Sequence, residues 1–340
     1  MDVSTDTPPV VEVRDLVVTF KGTSRRGLAQ NRVIRAVDGV SLRIDREETL
    51  GLVGESGSGK STTARAILRL TPIQSGSILF EGNDLASKTG MSLLRRQAQM
   101  VFQNPLGSLN ARLKVGKIIR EPLDIHRIGD PASRAKRVAE LLDLVGLPED
   151  TGERFPHEFS GGQQQRIAIA RALALQPSLI VCDEPVAALD VSIQAQILQL
   201  LKDLQRATGV AYLFIAHDLH VVRHLCRRTA IMYVGRIVEQ GPSASLFARP
   251  RHPYTQALMS AIPVPDPSVI SNRTVLQGEI PSPSALPSGC RFRTRCPHAQ
   301  EVCAAEEPVL QEAGDGVSVA CHFWREIAQP VAKTAVDAAR

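Results

Sequence analysis

The run Gly54-Glu55-Ser56-Gly57-Ser58-Gly59-Lys60-Ser61, continued by Thr62, fits the pattern G-x-x-x-x-G-K-[ST]. Its glycines let a backbone wrap closely, so that several N–H groups aim at phosphate oxygens. Lys60 adds a full positive charge for β- and γ-phosphates, and the Ser61 hydroxyl is a ligand for Mg²⁺. A plain strand-to-helix turn would use the glycines but gives no reason for lysine followed by two hydroxyls. A second constellation lies far downstream, where the apolar run Leu179-Ile180-Val181-Cys182 ends in Asp183-Glu184. Neighbouring side chains at a strand end point to different sides, so the two carboxylates can divide their work. Asp183 suits Mg²⁺, and Glu184 suits orienting or deprotonating an attacking water.

Such loops need rigid elements to aim them. Thr49 to Val53 is a short apolar run that predicts a buried strand, followed by a helix with Ala64, Ile67 and Leu68 on one face, stopped at Thr71-Pro72. Ser178 to Cys182 and Val210 to Ala216 predict two more buried strands. Between them Ile193, Ile197, Leu200, Leu201 and Leu204 recur at helical spacing. From Val10 to about Ile262, β-branched runs alternate with helical patterns, which predicts an α/β domain on a largely parallel sheet. The stretch from about 105 to 176 is richer in helix and predicts a helical lobe inserted between strands, with helices such as Ser133 to Val145 solvated on one side. Prolines 263, 265, 267, 281, 283 and 287 then mark an irregular connection. They predict domains of 1–262 and 263–340, with an Ala-rich end from about Gln329.

Phe159-Ser160-Gly161-Gly162-Gln163 adds a second nest of N–H groups at the start of a helix running from Gln163 to about Leu175, hence a second anion site. It resembles the signature of ABC-type ATPases, with Phe159 where Leu is usual. That resemblance implies an ABC-type P-loop NTPase fold and a head-to-tail dimer. Each ATP would lie between Lys60 of one subunit and Ser160, Gly161, Gly162 and Gln163 of the other. It further implies that Gln103 touches Mg²⁺ and senses a membrane partner, and that His217 contacts the γ-phosphate. Phe20 would stack on adenine, and Ala187-Ala188-Leu189-Asp190 would be the loop that communicates between the two sites. With Glu184 and His217 both present, the implied half-site is hydrolytically competent.

Arg251-His252-Pro253-Tyr254-Thr255-Gln256-Ala257-Leu258 and Gly289-Cys290-Arg291-Phe292 are similar to the ATPase subunits of oligopeptide and dipeptide importers, and so are Pro156 to Ser160 and Asp190 to Gln196. The resemblance implies a second, different ATPase subunit, two membrane-spanning permeases, an external substrate-binding protein, and a place on the cytoplasmic face of the membrane. This chain is more like the ATPase usually encoded last. The final cysteines run C-x5-C-x6-C-x17-C at Cys290, Cys296, Cys303 and Cys321. Four thiolates suit an iron-sulfur cluster or zinc, and the resemblance implies [4Fe-4S]. Reduced, partly buried thiols are the competing explanation. Cys182 and Cys226 sit in apolar or helical contexts that predict packing roles.

At 340 residues and 43% hydrophobic content the chain can bury a large domain and a smaller one. No apolar run approaches the ~20 residues of a membrane-crossing helix. Met1 to Arg14 carries Asp2, Asp6 and Glu12 and lacks the pattern of a secretory signal. The formal charge of +5 fits a nucleotide, an anionic lipid surface or a nucleic acid equally. Nucleic-acid-acting ABC ATPases typically carry two cassettes or a long coiled-coil insertion. Neither is present, so a nucleic-acid partner is not expected. ATP binding without turnover is opposed by Glu184. The cargo of an importer touches other subunits, so peptides are favoured over glutathione or nickel chelates by resemblance alone.

Overall fold

In the computed structural model, residues 8–22, 32–261 and 276–327 are described. They divide into two compact units. The first comprises the described residues of Met1–Glu12, Leu42–Thr49 and Ser77–Ile215. The second comprises those of Val13–Ser41, Leu50–Gly76 and Ala216–Arg340.

In the first unit the strands Ala98–Val101, Leu179–Asp183 and Ala211–Ala216 pair in parallel, Met100 opposite Val181 and Asp183 opposite Ile215. Every residue of the last two is buried, as apolar runs in a two-sided parallel sheet require. The predicted helical lobe is present. Helices Val115–Ile125, Pro131–Leu144 and Gly161–Leu173 pack together around Ile118, Ile119, Leu141, Leu142, Ile167 and Ile169. Pro131–Leu144 is opened by a capping box between Asp130 and Ser133, with proline at its start. In the long helix Val191–Thr208, the buried stripe is Ile197, Leu201 and Leu204. Ile193 and Leu200 are only half-buried.

In the second unit, strand Thr49–Val53 runs parallel to Arg228–Tyr233, with Leu52 opposite Ala230. Arg236–Pro242 follows antiparallel. The helix Lys60–Ile67 stops short of Thr71-Pro72, because Leu68 caps it and Arg69 turns left-handed at φ 54°. The cysteine-bearing tail is more regular than its prolines suggest. Ser318–Val319 adds to the sheet edge, with Glu239 opposite Val319, and Gln311–Glu312 adds outside it. Phe292, Val317 and Val319 are buried, so the tail shares the core of this unit. The expected boundary near residue 263 and the Ala-rich end from Gln329 fall outside the described residues. No helix among the described residues is long and apolar enough to cross a membrane.

Candidate active site

The glycine-rich loop leaves the Thr49–Val53 strand and enters a helix whose first residue is Lys60. Gly59 holds φ 106°, and a Cβ there would meet the Ala36 carbonyl oxygen at 2.3 Å, so no other residue fits. Lys60 is buried, and its Nζ donates to the carbonyls of Gly54 (2.7 Å) and Glu55 (3.0 Å). The ammonium thus lies inside the curve of its own loop. A backbone chain fixes the far side: the Gly235 N–H donates to the Ser58 carbonyl at 2.8 Å, and the Asp38 N–H to the Gly235 carbonyl at 2.9 Å. Ser56 and Gly57 are exposed at the tip, while Ser61 and Thr62 are half-buried in the first helical turn. His217 and Phe20 are both exposed, the first just after strand Ala211–Ala216 and the second near the end of strand Val11–Gly22.

The carboxylates stand at the end of Leu179–Asp183. Asp183 is buried, and Glu184 is half-buried with a left-handed backbone at φ 48°. The Glu184 N–H donates to the Ile215 carbonyl at 3.0 Å. Gln103, read from sequence as a Mg²⁺ contact, here donates from Nε2 to Glu184 Oε2 at 2.9 Å. The structure therefore brings Gln103, Asp183 and Glu184 together in the first unit, while the glycine-rich loop, His217 and Phe20 belong to the second. A hydroxyl, an amide oxygen and a carboxylate at Ser61, Gln103 and Asp183 are hard oxygen donors of the kind Mg²⁺ prefers.

At the second anion motif, the helix begins at Gly161, two residues earlier than its sequence pattern suggests. Ser160 is its N-cap: its hydroxyl accepts from the Gln163 N–H, and Gln163 Oε1 accepts from the Ser160 N–H. The nest is closed by its own capping box. Gly161 and Gly162 extend it, and Gly162 has a packing reason as well, since a Cβ would lie 2.5 Å from Ile193 Cγ2. Phe159 is buried under the Arg154 guanidinium, 4.5 Å from its ring centre, which fits the Phe-for-Leu change without disturbing the glycines. Ala187, Ala188 and Asp190 are exposed.

Cys290, Cys296, Cys303 and Cys321 all line one cavity, with His252, Phe292 and His322 on its wall. Burial pushes the Cys290 thiol up to about 11 and Cys321 up to about 12, and it raises Cys296 as well. Backbone N–H groups of Phe292 and Arg293 partly offset this rise at Cys290, as do that of His298 at Cys296 and that of Phe323 at Cys321. This donor set fits a thiolate-bound metal in kind and in convergence. In spacing it does not, because among the described residues no group of three or more His, Cys, Asp or Glu stands where it could hold an ion. Cys182 and Cys226 are buried, in line with packing roles.

Sequence reasoning missed the supports of the glycine-rich loop. The Glu55 N–H donates to the Tyr254 hydroxyl at 2.8 Å, and the Glu55 carboxylate takes a two-pronged pair from Arg295. Arg291 pairs with buried Asp38 and donates to the Val234 carbonyl at 2.6 Å. The motif around Tyr254 was visible, but nothing local signalled that its hydroxyl reaches back 199 residues.

The model of the ABC transporter family matches residues 37–187, and that of the oligopeptide/dipeptide transporter C-terminal region matches 238–303. A putative peptide import ATP-binding protein of Brucella ovis is 50% identical over 90% of this chain and 97% of its own length. A putative oligopeptide transport ATP-binding protein of Bacillus subtilis, YkfD, is 48% identical over 93% and 96%. Among solved structures, a dimeric ATP-binding cassette in a post-hydrolysis state with ADP and Pi is 30% identical with a TM-score of 0.60, covering 68% of this chain and 98% of that one. The cbiO1 component of a Clostridium perfringens ABC transporter complex is 28% identical with a TM-score of 0.62, covering 71% and 91%.

Proposed function

Because the chain belongs to the family of ABC transporter ATP-binding proteins, in its oligopeptide/dipeptide group, we propose that it is the ATP-hydrolysing subunit of a peptide importer. It works at the cytoplasmic face of the membrane with two permease subunits, a second ATPase subunit and an external binding protein. The observation that carries this reading is the Gly54–Ser61 loop, with Lys60 turned into its curve, on a chain about half identical to peptide-import ATPases along nearly its whole length.

Lys60 and the loop N–H groups hold the β- and γ-phosphates, and Phe20 stacks on the base. Ser61, Gln103 and Asp183 are the residues that would hold Mg²⁺, which offsets phosphate charge when bound. Glu184 accepts a proton from the attacking water, and His217 steadies the γ-phosphate. Ser160, Gly161, Gly162 and Gln163 close the site of the partner subunit rather than their own, so nucleotide joins the two chains. The Gln103 bond to Glu184 fits a resting state in which the base is held by a residue that must later turn to other contacts. Turnover of the purified chain with its partner tests the assignment: Glu184→Gln should bind ATP and fail to hydrolyse it. Turnover at the wild-type rate would refute Glu184 as the base.

We further infer that the four tail cysteines hold an iron-sulfur cluster, or zinc in its place. Their convergence on one cavity supports this, and the sulfurs, whose present spacing does not suit an ion, would have to draw closer around it. Such a group would cross-link a short, proline-interrupted segment. An absorbance spectrum with iron and zinc analysis of anaerobically purified protein tests it, and absence of both metals refutes it.

A further inference from the structure

We propose that Arg295 is a positioning residue of the nucleotide site, whose guanidinium neutralises the one carboxylate inside the phosphate loop, so that the cysteine-bearing tail sets the loop's affinity for a triphosphate. The proposal rests on reading Gly54–Ser61 as the ATP loop.

A loop built to hold a polyanion gains nothing from a negative side chain, yet its second residue is Glu55. Left alone, that carboxylate would repel the incoming phosphates through a short, partly dehydrated path. Arg295 answers it with a planar fork, Nη1 to Oε2 at 2.6 Å and Nη2 to Oε1 at 3.1 Å. Only 7% of the Arg295 side chain is exposed, which separates this pair from the ordinary surface salt bridge of little worth. The same stretch of loop is held through its backbone, where the Glu55 N–H donates to the Tyr254 hydroxyl. Glu55 is therefore pinned at both its main chain and its charge by residues about 200 or more positions downstream.

The tail fixes where the guanidinium stands. Its carbon lies 6.0 Å from the ring centre of Tyr233, which packs against Tyr254 (4.7 Å) and Phe292 (5.2 Å). Arg295 directly precedes Cys296, and its N–H closes a turn onto the Phe292 carbonyl at 2.9 Å. At the other end of that turn Arg291 follows Cys290 and grips Val234 and Asp38, next to the Gly235 that bonds Ser58 of the loop. Two cysteines of the cavity thus flank two arginines that reach the phosphate loop or the turn behind it. Swinging or unfolding the 290–296 segment would strip the loop of its counter-charge.

A brace that only stabilised the fold would behave differently from a counter-charge, and removing the carboxylate separates the two. The measurement is the Kd of a fluorescent ATP analogue on the full-length chain, together with KM and kcat of the chain assembled with its partner. Arg295→Met should weaken binding and raise KM by about ten-fold while kcat changes by less than about two-fold. Adding Glu55→Gln to Arg295→Met should bring the Kd back to within about three-fold of wild type, because the repulsive charge is gone. Arg295→Lys, which keeps the charge and loses the fork, should fall between the two. An Arg295→Met protein that binds within about two-fold of wild type, or a double variant no tighter than the single one, would overturn the proposal. Should Arg295→Met not be recovered folded, the same comparison between Arg295→Lys and Arg295→Lys with Glu55→Gln decides it. A wild-type chain that binds no ATP analogue would instead overturn the reading of the loop itself.

Discussion

Replacing Arg291 by methionine tests whether the tail is a structural part of the phosphate-loop unit or an appendage to it. The substitution keeps much of the apolar stem and removes three contacts: the ion pair with Asp38, the donation to the Val234 carbonyl, and the approach of Nε to Glu307 at 3.3 Å. Both members of the main pair are nearly inaccessible, 8% exposed for Arg291 and 9% for Asp38. Breaking a buried pair from one side typically costs about 3–5 kcal/mol, because the other charge is left stranded. Asp38 is not wholly stranded, since Arg35 lies 3.4 Å away and Arg236 3.6 Å away, so the lower end of that range, about 3 kcal/mol, applies. Thermal and urea unfolding followed by circular dichroism read the change, and a fall in Tm of roughly 4 °C is expected. The pH dependence supplies a second check. Burial alone would raise the Asp38 carboxyl, but its bond to Arg291 and the charges of Arg291, Arg236 and Arg35 bring it below its usual value. A carboxyl depressed in the folded state stabilises fully above its unfolded value near 3.8, and that stability is lost as pH falls through the lower folded value. The gap in stability between wild type and Asp38→Asn should therefore be full at pH 7 and shrink below about pH 4. An Arg291→Met protein melting within about 1 °C of wild type would refute the claim that the tail braces this unit.

Other substitutions probe the rest of the site. Glu184→Gln should lower kcat by on the order of a hundred-fold or more while the Kd for ATP stays near wild type, as read by phosphate release and nucleotide titration. Gly59→Ala would force a Cβ to 2.3 Å from the Ala36 oxygen at φ 106°, and it should abolish ATP binding with a lowered Tm. Ser160→Arg removes an N-cap worth about 1 kcal/mol and fills the signature surface. The dimer should then fail to turn over, and size-exclusion chromatography with ATP should show no dimer. Glu239→Leu leaves the N–H groups of Arg251 and His252 without their buried acceptor and should cost roughly 2–3 kcal/mol in urea unfolding.

What was legible in the sequence was local. The strand before the phosphate loop and the strand ending at Asp183 announce themselves, because a buried parallel strand is a short apolar run with turn residues behind it. The helical lobe was legible as a stretch richer in helix than strand, but the helix read from Ser133 to Val145 spans Pro131–Leu144, because Asp130 caps it and proline opens it. What escaped depends on contacts that no window of sequence contains. Arg295 and Glu55 are 240 residues apart, and the arginine reads as one more basic residue between cysteines. Ser318–Val319 is too short to show an alternating pattern, and it becomes strand only because Arg236–Pro242 offers an edge. The early end of the Lys60–Ile67 helix has a similar cause: Arg69 turns left-handed without being glycine, so Thr71-Pro72 was the only visible stop signal.

At the end of this strand it is the backbone rather than side-chain type that aims the two carboxylates differently. Asp183 is the last residue of its strand and is paired in register with Ile215, so its direction is fixed by the sheet. Had the strand continued, Glu184 would simply point to the opposite face. Instead the chain turns left-handed at φ 48°, a conformation that costs a non-glycine residue about 1 kcal/mol or more. That cost is offset locally: the Glu184 N–H donates to the Ile215 carbonyl, the Ala187 N–H donates to the Glu184 carbonyl, and Gln103 bonds the carboxylate. Two of these bonds are main-chain and survive any change of side chain, while the bond from Gln103 is made by side chains and can be exchanged for another partner. If Glu184 is the base proposed above, turning Gln103 to other partners would change the contacts of the carboxylate without rebuilding the strand end. Replacing Gln103 by alanine should remove this one bond to the Glu184 carboxylate and leave the main-chain bonds that hold its φ, whereas Glu184→Gly would remove the strain and the carboxylate together.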